Sequence, residues 1–202
     1  MKHNDKNVEK FIEHVKEQTA EHHCEFSLRN TKYCCQDGVR CSGFFWEDPP
    51  TLICATNKPL IKWVSTLVHE YGHFLQWITV PSILEESGDS CNIFFDWLNG
   101  ESGHEKAIKK HTGITRDVEA DCERIAVKTI KKFNLPIDIK QYCQQANAYV
   151  YFYNYILLTR KWYKTGKGPY EVEEVYSKMP THLKKSYDNL PEEYIGLYSQ
   201  FC

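Results

Sequence analysis

The feature that most constrains this chain is His69-Glu70-Tyr71-Gly72-His73, set inside an apolar stretch. Trp63, Val64, Leu67, Val68, Phe74 and Leu75 surround it at helical spacing, so the segment reads as a core helix. Asn57-Lys58-Pro59 opens that helix at about Leu60, and Pro81 stops it after about Thr79. Residues four apart on a helix share a face, so the two imidazoles can converge on one ion. Two His and a Glu are costly on a core helix without such a partner. The H-E-x-x-H spacing suits zinc, with Zn–N distances of ~2.0–2.1 Å. Glu70 lies one residue beyond the first imidazole. From there it borders the open side of the ion and can take a proton from zinc-bound water.

A catalytic zinc needs a third protein ligand and an open fourth position. Downstream candidates are His104, His111, Asp117, Glu119, Asp121 and Glu123. The last four fall on an expected helix from Arg116 to Phe133, with Val118, Cys122, Ile125, Ala126 and Ile130 inward. Cys122 and Ile125-Ala126 lie close to the Glu119 side, so Glu119 is expected to point inward as the third ligand. Glu123 is expected to accept a proton from the far nitrogen of a ligand imidazole.

The rest of the chain reads as α+β. An amphipathic helix is expected over 5–23, followed by a polar, Cys-rich stretch to Gly38. Strands are expected at Val39–Trp46 and Thr51–Ala55, joined at Asp48-Pro49-Pro50 as a small antiparallel sheet. Residues 81–104, with Pro, Ser, three Gly and Ile93-Phe94-Phe95-Asp96-Trp97, read as an irregular inserted lid or a pair of short turns. Ile137 to about Lys164 reads as a long aromatic helix broken at Gly166 and Gly168-Pro169, and two short helical stretches follow near 171–178 and 191–199. One domain is expected over 1–202, with a catalytic core at about 39–136 and a helical C-terminal extension at about 137–202.

These residues carry a family resemblance. Ser42-Gly43-Phe44-Phe45 through Thr51–Ala55, then Val68 to His73, then Glu119-x-x-Cys122-x-x-Ile125-Ala126 and Leu135-Pro136, resemble the ImmA/IrrE-type gluzincin metallopeptidases. The resemblance covers roughly 39–136, and compact stand-alone chains of this kind also resemble bacteriophage-encoded versions. It implies a zincin-like fold with an active-site helix. It also implies Zn2+ held by His69, His73 and Glu119, Glu70 as the base, and a protein or peptide substrate, such as a regulator or repressor. In this class the strand before the active-site helix is an edge, open to an extended substrate. The chain departs from the family in the long gap between His73 and Glu119 and in the stretch from Ala126 to Leu135. For the oxyanion donor, His104, Tyr142, Tyr149 and Tyr153 are candidates, with Tyr149 the first choice.

Composition bounds the alternatives. A formal net charge of -2 gives no argument for nucleic acid or an anionic membrane. Lysines 106, 109, 110, 128, 131 and 132 and Arg116 read as a solvated basic face. No apolar run approaches the ~18 residues of a membrane span. Nine cysteines, an odd number without paired C-x-x-C spacing, point to free thiols in a reducing compartment. With no apolar region behind Met1-Lys2-His3-Asn4-Asp5, the expected location is cytoplasmic. The competing function class is a zincin-fold binding module with a structural metal. A DNA-associated SprT-like protease would want a third His close behind the motif, and the next is His104.

Overall fold

The computed structural model describes residues 6–36, 38–164 and 166–202, with the side chains of residues 39 and 84–86 outside the description. It is α+β, mostly helical, with a small mixed sheet. The chain divides into two compact units, Met1–Pro81 with Ile125–Ile137, and Ser82–Arg124 with Asp138–Cys202.

The first unit opens with helix α1, Lys6–Glu21, which buries Val8, Phe11, Val15 and Thr19 along one stripe. Residue 5, the expected start, lies outside the described residues. His23 takes a left-handed φ of 53°, and Cys24 N–H reaches back to Thr19 O at 2.8 Å, closing the helix end. Strand β1, Glu25–Arg29, then runs parallel to β5, Pro50–Ala55. Between them lie β2, Cys34–Gln36, and β3, Val39–Cys41, which form their own antiparallel pair, and β4, Gly43–Glu47. A bend at Ser42 splits the single strand expected over 39–46 into β3 and β4.

The hairpin β4–β5 is antiparallel, as its turn chemistry suggests. The sheet order, however, is β1-β5-β4. The sheet is therefore mixed rather than antiparallel, and β5 is its centre rather than an edge. The missed strand is β1, whose burial is nowhere complete and whose alternation is correspondingly faint. Leu52, Ile53, Cys54 and Ala55 are all buried, the continuous pattern of a strand covered on both faces.

Helix α2, Leu60–Thr79, buries Val64, Leu67, Val68, Tyr71, Gly72, Phe74 and Gln76. Tyr71 stacks on Phe74 at 5.6 Å and meets Phe11 of α1 edge-on at 5.7 Å. Phe45 of β4 meets Phe74 edge-on at 6.0 Å. This aromatic packing fixes α2 between α1 and the sheet, and burial of this kind stabilises by roughly 25 cal/mol per Å² of apolar surface. The unit is completed by the last turns of helix α4, which runs unbroken from Glu105 to Phe133. Phe133 packs on Phe11 at 5.3 Å, and Asn134, with φ 48°, ends the helix.

The second unit is helical. Residues 81–104 are not an irregular lid. Pro81–Leu98 is helix α3. Among its described side chains the buried ones are Ser87, Ser90 and Phe94, so polar types sit on the inward side and blur the helical period. Gly88 has open space around it and makes no turn. Helix α4 likewise starts at Glu105 rather than Arg116, because Ile108, Thr112 and Thr115 carry its inward face and Gly113 does not break it.

Helix α5, Ile139–Thr159, is buried on nearly every side from Tyr142 to Ile156. Asp138 caps it by accepting from Lys140 N–H at 2.8 Å and Gln141 N–H at 3.3 Å. It ends at Arg160, which is left-handed with φ 54°, earlier than the glycines suggest. Two short helices follow, α6 at Glu173–Tyr176 and α7 at Glu192–Phe201. Arg116 is buried and donates to Asn154 Oδ1 and Tyr187 O, both at 3.0 Å, and to Asp188 at 2.7 Å. It therefore leaves the basic face, to which Lys106, Lys109, Lys110, Lys128, Lys131 and Lys132 contribute as exposed groups.

No helix among the described residues is long and apolar enough to cross a membrane.

Candidate metal centre

The site is built on α2. His69 and His73 are half-buried on successive turns, their ring centroids 4.8 Å apart and the rings nearly perpendicular at 88°. His73 Nδ1 lies 2.9 Å from Oε1 of Gln76, itself only 1% exposed. Between the two imidazoles, Tyr71 points the other way, into the core. Burial pushes its phenol up to about 12, and its hydroxyl lies 3.2 Å from His14 Nε2. His14 is lowered, first by burial and then by Lys132, with Glu17 opposing.

Glu70 faces the sheet side. A Cβ at Gly43 of β4 would stand 3.2 Å from Glu70 Cγ, 2.9 Å from Thr66 Cγ2 and 2.8 Å from Ile53 O. Only a glycine lets β4 run this close to the helix. The Glu70 charge is felt by three thiols. Burial chiefly, and Glu70 next, push Cys41 up to about 11, and the same two causes raise Cys54. Cys34 is also raised, mainly by burial, with Arg29 and Lys58 opposing and Glu70 adding.

One ligand atom each from His69, His73 and Cys122 lie within 4.8 Å of one another, the one such group of His, Cys, Asp or Glu among the described residues. Cys122 is a residue that the sequence reading placed among the apolar inward positions of α4. A free thiol does behave as a small hydrophobe, but it is equally a zinc donor. The signal was present: Glu119 and Cys122 are three apart, so an inward Glu119 brings Cys122 to the same face. Two imidazoles and a sulfur are a donor set that fits Zn2+ and suits Mg2+ or Ca2+ poorly.

The other candidates are distributed as follows. Glu119 is half-buried one turn before Cys122, and its charge helps to raise Tyr149 and Tyr153, after burial. Tyr149 is half-buried, its hydroxyl 3.0 Å from that of Tyr153. Glu123 is buried and acts on Tyr142, whose phenol is raised well above its ordinary value by burial and then by Glu123. Asp117 is exposed and accepts from Arg116 Nε at 2.8 Å. His111 pairs with Ser90 at 3.1 Å, and His104 is exposed ahead of α4. All nine cysteines are free thiols in the structure.

No family model, curated protein or solved structure matches the chain.

Proposed function

We propose that the chain is a zinc-dependent endopeptidase of zincin-like fold that cuts a protein target inside the cell, a regulator or repressor being the kind the gluzincin resemblance implies. The observation that carries this reading is the His69–His73 pair, set 4.8 Å apart on a buried helix with Glu70 between them in sequence. Zinc, when bound, supplies Lewis acidity toward a carbonyl oxygen and toward water. His69 and His73 hold the ion in this reading, and Glu119 joins them from α4. Glu70 accepts the proton of the attacking water and passes it to the leaving amine. Tyr149 donates to the oxyanion, with Tyr153 orienting its hydroxyl. With β5 central, the edges of the sheet are β1 and β4, and β4, which Gly43 brings against Glu70, is the edge this reading assigns to an extended peptide.

Cys122 favours a second reading. Two imidazoles, a thiolate and Glu119 would fill four positions, and a closed four-ligand set is the mark of a structural zinc. The chain would then be a binding module. Glu70→Gln separates the two, because it keeps size and removes the base. Zinc-loaded wild type and variant are incubated with a mixed peptide library, and products are read by mass spectrometry. The enzyme reading expects cleavage by the wild type, abolished by chelation, and a variant that keeps its zinc but loses orders of magnitude in rate. An uncut library with the wild type, in the presence of full zinc, leaves the binding module.

A further inference from the structure

Gln76 is an amide at a position where a core helix would ordinarily carry Leu. It is 1% exposed and stands among the largest fully buried side chains of the chain. Burying an amide costs free energy unless its polar atoms are hydrogen-bonded. Its Oε1 lies 2.9 Å from His73 Nδ1, three residues back on the same helix. That contact joins two side chains on one rigid backbone segment, since i and i+3 share a face. The backbone around it is held as well, with Gln76 O accepting from Val80 N–H at 2.9 Å.

An amide oxygen only accepts. A neutral imidazole facing it must therefore carry its hydrogen on Nδ1, which leaves the lone pair on Nε2. We infer that Gln76 is the positioning residue of the metal centre, fixing His73 as the Nδ1–H tautomer so that Nε2 is the ligating atom. The inference deepens the metallopeptidase reading and rests on it for the identity of the ion, while the tautomer rests on the His73–Gln76 contact. The sequence reading gave the role of orienting a ligand imidazole to Glu123; for His73 the structure supplies Gln76. The choice of an amide has a chemical consequence. A carboxylate there would add a full negative charge beside the ion and draw the Nδ1 proton toward itself. Gln76 orients the ring just as firmly and adds no charge, so the bound ion keeps more of its Lewis acidity.

The test uses the full chain, first free of metal and then with Zn2+ alone. Long-range 1H–15N correlation of the imidazoles in the metal-free protein reports which nitrogen of His73 holds the hydrogen. Competition with a chromophoric chelator reports zinc affinity. Wild type is expected to show His73 as a single Nδ1–H form. Gln76→Leu keeps the volume and removes the acceptor. It should give a mixture of tautomers and about 10–100-fold weaker zinc binding, the usual range for loss of such a partner. Gln76→Glu keeps an acceptor and should retain the tautomer, with zinc binding no weaker than that of the wild type. It also covers the case in which the Leu variant fails to fold. His73 found as Nε2–H in the wild type overturns the inference. So does an unchanged tautomer and affinity in Gln76→Leu, or a Gln76→Glu variant that loses the Nδ1–H form. If the expected tautomers appear in a protein that takes up no zinc, Gln76 keeps its role over His73 and the metallopeptidase reading is the one that fails.

Discussion

Gly43 and Glu70 touch across the sheet–helix boundary so closely that a methyl group at 43 would stand 3.2 Å from Glu70 Cγ. The same methyl would meet Ile53 O at 2.8 Å, and that backbone oxygen cannot swing aside. Gly43→Ala must therefore push β4 off β5 or off α2. Overpacking of this kind typically costs about 1–3 kcal/mol. The expected outcome is a lower urea midpoint with an unchanged slope, together with a displaced Glu70. Zinc content should hold, because the two imidazoles sit on the helix itself, while any cleavage rate falls. A variant as stable and as active as the wild type would mean that the contact is looser than it stands here.

Tyr149→Phe removes one hydroxyl from the pair with Tyr153, whose oxygens are 3.0 Å apart. If Tyr149 is the oxyanion donor, kcat should fall by about 10²–10³, the range for loss of one such donor. KM and zinc content should stay close to those of the wild type. Tyr153→Phe should show a smaller loss, because Tyr153 acts through its neighbour. Equal effects of the two variants on kcat and on the melting temperature would instead make the pair a packing element.

What the sequence makes legible follows from how each segment announces its period. Helix α2 is readable to the residue because its apolar positions are strongly apolar and its ends carry Pro59 and Pro81. The hairpin β4–β5 is readable from its Pro-rich turn. Helix α3 is not, because Ser87 and Ser90 stand at buried positions and hydroxyls do not register as hydrophobic. The first three turns of α4 hide for the same reason, behind Thr112 and Thr115. Strand β1 is short, and its partner β5 lies more than twenty residues away, a parallel pairing that no local pattern encodes. At the site, His69, Glu70 and His73 are visible from spacing. Gln76 is not, because it looks like a surface amide until its neighbours are known, and Cys122 reads as an apolar filler unless its three-residue spacing from Glu119 is weighed.

Alkali should weaken the fold more than the net charge suggests. Burial raises Cys24 to about 11, Cys41 to about 11 with Glu70 adding, and Tyr71 and Tyr187 to about 12. Each raised acid binds its proton more tightly in the folded than in the unfolded chain. Its contribution is complete below the unfolded value, near 9 for a thiol and 10 for a phenol, and is lost as pH rises toward the folded value. Stability should thus decline from about pH 9 to pH 12. Urea midpoints measured across that range should fall, and tyrosinate absorbance should rise together with loss of helical circular dichroism. Independent, early titration of most tyrosines in a chain that stays folded would contradict the burial pattern.

The metal ligands distinguish Cys122 from Glu119. His69→Ala removes one of two imidazoles from a set whose ligand atoms lie within 4.8 Å, and it should abolish zinc uptake. The two α4 positions make different forecasts. If Glu119 is the third ligand of an open catalytic site, Glu119→Ala loses zinc, while Cys122→Ser retains it at somewhat lower affinity and leaves the proton-accepting Glu70 in play. If the thiolate is the third ligand, the order reverses, and cobalt substitution should show a strong sulfur-to-metal charge-transfer band that Cys122→Ser abolishes. If both bind, each variant weakens uptake without ending it, and the site is closed. Metal analysis of the three variants, with the cobalt spectrum of the wild type, therefore reads the coordination directly. About one zinc per chain is expected for the wild type. Full occupancy in both His69→Ala and Glu119→Ala would remove the proposed ligand set, and the case for a hydrolytic zinc would go with it.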